Sequence, residues 1–102
     1  MAVYVIIAAR RDKTSGRITH LRMGEADPAI PGWKSRPHEA PVTAALKAIH
    51  GGDSVVTSFD VDGVAVVGKE ARVRVYDDGT EDLESVSSGD PELKGVEDLP
   101  EF

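Results

Sequence analysis

One stretch of this 102-residue chain, Pro41 to Gly52, is written as a helix, and it is too short to stand alone. Val42, Ala45, Leu46 and Ile49 fall at the 3, 4 and 7 spacing that gathers side chains on one helical face. Pro41 suits the first helical position, where its missing N–H is not needed. Lys47 and His50 sit in the last turn, where the helix dipole favours positive charge. Gly51-Gly52 supplies the left-handed residue that ends many helices. An isolated helix shorter than about 12–15 residues is marginal in water. Its apolar face therefore needs a β surface to lie against, and the rest of the chain must provide one.

The remaining segments do read as strands. Residues 2–10, containing the β-prone run Tyr4-Val5-Ile6-Ile7, form the first. A polar loop through Arg11–Gly16 leads into a second strand, Ile18–Met23. Val55–Phe59 turns through Asp60-Val61-Asp62-Gly63 into Val64–Val67, and Asp-Gly is a strong tight-turn signal. Ala71–Tyr76 turns through Asp77-Asp78-Gly79 into Thr80–Val86. A three-residue loop there sets Arg74 against Asp82, Val73 against Leu83 and Arg72 against Glu84. That register matches apolar with apolar and predicts two Arg–carboxylate pairs, each contributing roughly 0.2–1 kcal/mol. A two-residue loop would set Arg74 against Leu83. The expected fold is α+β: five or six mostly antiparallel strands, with the helix on one face, in a single domain over residues 1–87.

Two segments resist this pattern. Gly24–Glu39 holds Pro28, Pro31, Gly32 and Pro37, which forbid a continuous helix or a central strand. It reads as a long loop, and such loops tend to be functional or mobile. The acidic tail, residues 88–102, is Ser/Gly/Asp-rich at its start, which favours disorder. Against that, Leu93, Val96, Leu99 and Phe102 recur every third residue, the period of an extended polyproline-type segment. Asp90–Gly95 also suits a single helical turn. The tail is expected to dock on the domain through these four side chains, with free disorder as the alternative.

Charge is divided along the chain. Before Gly51, eight basic residues oppose four acidic ones; from Gly51 onward, fourteen acids oppose Lys69, Arg72, Arg74 and Lys94. The formal charge of −6 thus splits into a basic half and a strongly acidic half. Such asymmetry marks either a nucleic-acid face or two ends of a fold that attract each other. There is no cysteine, so disulfides and thiolate metal sites are excluded. The longest apolar run, Val3–Ala9, is too short to span a bilayer. Arg10 and Arg11 follow it, the reverse of a secretory signal. A cytoplasmic chain without membrane contact is expected.

The first strand ending in Ala8-Ala9-Arg10-Arg11-Asp12, the hairpin through Gly16-Arg17-Ile18, the helix stop at Gly51-Gly52 and the closing Leu99-Pro100-Glu101-Phe102 form a familiar order. It resembles a family of small bacterial proteins of unknown function that end in an Asn-Leu-x-Asn-Leu-Pro-x-Phe pattern. Here Val96-Glu97-Asp98 replaces the amide-rich part. The resemblance implies a small intracellular bacterial domain and assigns no catalytic residue.

Little in the sequence is organised for chemistry. His20, His38 and His50 are isolated and share no metal-ligand spacing. Ser35 and His38 are the one local nucleophile–base pair, without a nucleophile elbow around Ser35. Asp60 and Asp62 faintly resemble a calcium loop but lack its downstream acid. No catalytic residue, cofactor or metal is expected. The most suggestive cluster is Trp33, Lys34, Arg36 and His38, one large aromatic among cations. It suits either a protein contact or base stacking with phosphate contacts, or Trp33 simply pins its segment to the core. A non-enzymatic module acting through protein contacts is the leading expectation. The alternatives are a regulatory nucleic-acid binder using the basic Trp33 segment and first hairpin, or an acidic nucleic-acid mimic.

Overall fold

The computed structural model describes residues 2–27, 29, 32–86 and 93–102. Six strands are present: β1 (Val3–Arg11), β2 (Ile18–Ala26), β3 (Trp33–Pro41), β4 (Ser54–Val61), β5 (Val64–Val75) and β6 (Glu81–Ser85). One helix, α1 (Val42–His50), joins β3 to β4, and a 3-10 turn covers Val96–Asp98. The strands form one sheet in the order β3-β2-β1-β4-β5-β6. Every neighbouring pair is antiparallel except β1 with β4, which is parallel. The expected α+β architecture, a mostly antiparallel sheet with one short helix, is the one observed.

The helix behaves as its punctuation implies, with one adjustment at its start. Pro41 stands just outside α1 in an extended conformation, φ −67° and ψ 152°, instead of in the first turn. At the other end the Gly51 N–H donates to Lys47 O at 2.9 Å, and Gly52 takes the left-handed φ of 93°. Ala45 and Leu46 are buried against Ile6, Leu21, Val55 and Leu83, with Val42 and Ile49 packed at the margin. This is the β surface the helix requires.

The sheet curls until strands distant in its order meet. The Ile18 N–H at the start of β2 donates to Asp82 Oδ2 on β6 at 3.3 Å. Beside it, the Arg17 guanidinium lies over the Tyr76 ring at 3.9 Å and donates to Thr80 Oγ1 at 2.7 Å. The β5–β6 register sets Arg72 against Glu84, Val73 against Leu83 and Arg74 against Asp82, as the sequence implies. Arg72 and Glu84 form their ion pair. Arg74 and Asp82 do not. Asp82 is only 5% exposed and spends its carboxylate on the Ile18 and Leu83 N–H groups, while Arg74 lies over Tyr76. A buried backbone donor outweighs an exposed cation, because leaving it unpaired costs about 1–3 kcal/mol.

The turn before β6 carries a titration signature. The Thr80 hydroxyl, and then the Thr80 backbone N–H, donate to Asp78 Oδ1 at 2.6 and 3.0 Å, lowering that carboxyl below its ordinary 3.8. A depressed acid stabilises the fold above its unfolded-state value and loses that contribution as pH falls through the lower folded-state value. In Thr80→Val, the Asp78 midpoint measured by NMR should rise toward 3.8; an unmoved midpoint would remove the hydroxyl as its cause.

The last described segment completes the core. Val96 and Leu99 are 3% and 4% exposed and belong to the same buried cluster as Ile6, Phe59 and Leu83. The 3-10 turn at Val96–Asp98 has three residues per turn, which suits the third-residue spacing. Asp90, Pro91 and Glu92, part of the expected Asp90–Gly95 turn, lie outside the described residues. Beyond the turn the chain pairs with the C-terminal half of β1. The Ala9 N–H donates to Pro100 O at 2.9 Å, and Ala9 bridges Glu101 in parallel. Leu93 and Phe102 are half-buried, Phe102 between the Arg10 and Arg22 guanidinium groups at 4.7 and 5.0 Å. Arg11 Nη2 donates to Val96 O at 2.8 Å. The basic half of the sequence thus grips the end of the acidic half.

Candidate functional site

The β4–β5 hairpin projects an apolar strip into solvent. Its turn has positive φ at both central residues, Asp62 at 52° and Gly63 at 83°, as a type I′ turn requires. Glycine suits the second position, and Asp tolerates the first while its neighbour Asp60 accepts the Gly63 N–H through Oδ1 at 2.8 Å. Past Phe59, the last buried residue of β4, the two strands extend beyond the core. Val61, Val64, Val66 and Val67 are consequently 44%, 62%, 42% and 61% exposed. Val61, Val64 and Val66 share one face of the hairpin and Val67 lies on the other, and exposed apolar side chains grouped in this way mark contact sites.

A groove of about 550 Å³ runs from this hairpin toward the centre of the sheet. It opens where β1 leaves β4. The two strands pair in parallel only as far as Ile6 and Thr57, and β1 carries an irregularity between Ile6 and Ala8. Ile7, Phe59, Ala65, Pro100 and Trp33 give it an apolar lining, with Asp60, Asp98 and Lys94 supplying charge. Lys94 Nζ lies 5.7 Å from the Phe59 ring centroid.

Trp33, Lys34, Arg36 and His38 are not on a loop. They belong to β3, an edge strand bonded on one side to β2. Pro37 is compatible with that position because an edge strand has N–H groups that no ladder needs. The strand also divides the cluster. Trp33 lies across Gly24, where an added Cβ would stand 3.0 Å from Trp33 Cε3, and lines the groove. Ser35 and His38 line a separate hollow of about 320 Å³ with Tyr4 and Met23. His38 Nδ1 lies 3.1 Å from Arg36 O, so that nitrogen carries the proton when the bond forms. Lys34 pairs with Glu25 at 3.5 Å. The structure keeps Trp33 with the groove and sends His38 elsewhere.

The residues the sequence did not single out are Val61, Val64, Val66 and Val67, together with Ile7 and Phe59 in the groove. Their only signal was the Asp-Gly turn between two valine-rich runs. It announces a hairpin without saying how far the hairpin outruns the core.

No cluster of three metal-ligating side chains occurs among the described residues, and no helix there is long and apolar enough to cross a membrane. Comparison of the chain with known protein families, curated proteins and solved structures finds no match.

Proposed function

We propose that this chain is a non-enzymatic, intracellular bacterial module that acts through protein contacts, with the β4–β5 hairpin and the Trp33 groove as its contact surface. The observation that carries this reading is the exposure of Val61, Val64, Val66 and Val67 beside an apolar groove containing the only tryptophan. Apolar and aromatic side chains at the centre with charges at the rim are the anatomy of a protein interface. Nucleic-acid binding draws less support, because Arg10, Arg11, Arg17 and Arg22 already stack on or donate to groups of the same chain.

The test compares wild type with Val64→Asp and Val67→Asp as baits in a lysate of the source cell. Surface substitutions of this kind change stability by about 0.5 kcal/mol or less. Both variants should melt like wild type and lose a protein that wild type recovers at moderate salt. A recovered protein held equally by the variants contradicts this surface. Recovery of nucleic acid instead, weakening steeply with salt and on Trp33→Ala or Arg36→Ala, contradicts the function.

A further inference from the structure

We propose that the Trp33 groove receives an arginine side chain of the partner protein, its guanidinium on the Trp33 ring and within reach of Asp60 and Asp98. This rests on the reading of the chain as a protein-contact module and names the anchor that the module takes.

The groove holds two carboxylates that the chain itself leaves unneutralised. Asp60 comes from the hairpin, opposite Ala65 in the β4–β5 ladder, and Asp98 from the 3-10 turn of the closing segment. Each spends one oxygen on backbone. Asp60 Oδ1 accepts the Gly63 N–H at 2.8 Å, and Asp98 Oδ2 accepts the Gly95 N–H at 3.0 Å. An ionised carboxylate has about four acceptor sites, so both keep capacity for a ligand. Every Lys and Arg of the chain lies among the described residues. Their ion pairs are Arg10–Glu39, Lys34–Glu25 and Arg72–Glu84, and His50 pairs with Glu81. None of these cations reaches Asp60 or Asp98. Lys94 lines the same groove but sets its ammonium over the Phe59 ring. Two acids against one base leave the groove a negative charge that a single cation balances.

The aromatic rings point the same way. Phe59 carries Lys94, Tyr76 carries Arg17 and Arg74, and Phe102 carries Arg10 and Arg22. Tryptophan attracts cations best of the aromatic side chains. Trp33 nevertheless carries none of the chain's own and stands 42% exposed beside the groove.

Arginine fits this lining better than other anchors. Its guanidinium is planar, weakly hydrated and stacks on aromatic faces, and its five N–H donors can serve both carboxylates. Its stem packs along Ile7, Ala65 and Pro100 while the head stays with the charges. An apolar anchor would desolvate Asp60 and Asp98 without pairing them, and an acidic one would add to their charge.

The probe is a blocked pentapeptide, Gly-Val-Arg-Val-Gly, with citrulline, Lys or Glu replacing Arg in three controls. Trp33 is the only tryptophan, so its fluorescence and indole N–H resonance report on the groove. The Arg peptide should shift both signals and bind more weakly as salt is added. Citrulline keeps the shape of arginine without its charge. The citrulline and Glu peptides should bind at least about tenfold more weakly, and the Lys peptide about threefold more weakly. Asp60→Asn and Asp98→Asn keep an oxygen for their backbone partners, so both should melt near wild type and bind the Arg peptide about fivefold more weakly. Lys94→Gln removes a like charge and should bind it about threefold more tightly. Should Asp98→Asn unfold, Asp60→Asn makes the same test from the hairpin. Equal binding of the citrulline and Arg peptides, or weaker binding of the Arg peptide by Lys94→Gln, overturns the arginine anchor and leaves the groove a contact site. A Trp33 signal that no peptide moves also overturns it. The contact reading is then decided separately, by whether Val64→Asp and Val67→Asp lose the recovered partner.

Discussion

Leu99→Ala is expected to lower stability by about 2–5 kcal/mol, the range for truncating a well-buried leucine. For a domain near 100 residues each kcal/mol moves Tm by about 4–8 °C, so thermal unfolding should shift down by about 8–40 °C. The size of the effect comes from where Leu99 sits: it is 4% exposed, inside the cluster that holds Ile6, Phe59 and Leu83. Removing it also loosens the neighbouring Pro100 carbonyl that accepts the Ala9 N–H. Phe102→Ala should cost less, since that ring is only half-buried and lies between Arg10 and Arg22. A Leu99→Ala protein melting within a few degrees of wild type would mean the closing segment contributes little to the core.

Gly68→Val should also lower stability markedly. A Cβ at Gly68 would collide with the Lys94 carbonyl, with Thr57 Oγ1 at 2.6 Å and with the Phe59 ring at 2.7 Å. The carbonyl belongs to the backbone that the Lys69 N–H binds, so it has little freedom to retreat. Overpacking of this kind costs about 1–3 kcal/mol, and at a backbone contact the upper part of that range is expected. The two substitutions act on one segment and should not add. In a Leu99→Ala background the valine should cost at least about 0.5 kcal/mol less than in wild type, a coupling measurable by denaturant unfolding of the four proteins. Full additivity would mean Gly68 does not act through the closing segment.

The parts of this structure legible in the sequence are those set by local pattern. The apolar face of Val42–Ile49, the Asp62-Gly63 turn and the β5–β6 register follow from helical spacing, turn chemistry and cross-strand matching, all within a few residues. What escaped reading depends on distant neighbours. Asp82 pairs with an N–H 64 positions away in the chain, so no local rule could take it from Arg74. β3 looked like a loop because proline count was weighed without knowing that the strand lies at an edge, where proline does little harm. Val64–Val67 and Ala71–Tyr76 read as separate strands, yet one twelve-residue strand, β5 (Val64–Val75), runs through both. Trp33 was legible as a candidate. The exposed valines were not, because alternation within a strand says which residues share a face and not whether anything covers it.

The divided pairing of β1 has a consequence for the order in which the molecule is made. Its first half is zipped to β4 and its second half to Pro100–Glu101, so part of one edge of this central strand stays unpaired until Pro100 and Glu101 have left the ribosome. Until then Ile6 and Ala9 have no complete shelter. Pairings between such distant positions form slowly, because the intervening chain must be closed into a loop first. The nascent protein is therefore expected to expose its sticky interior until Leu99–Glu101 have emerged, and to need protection from chaperones up to that point.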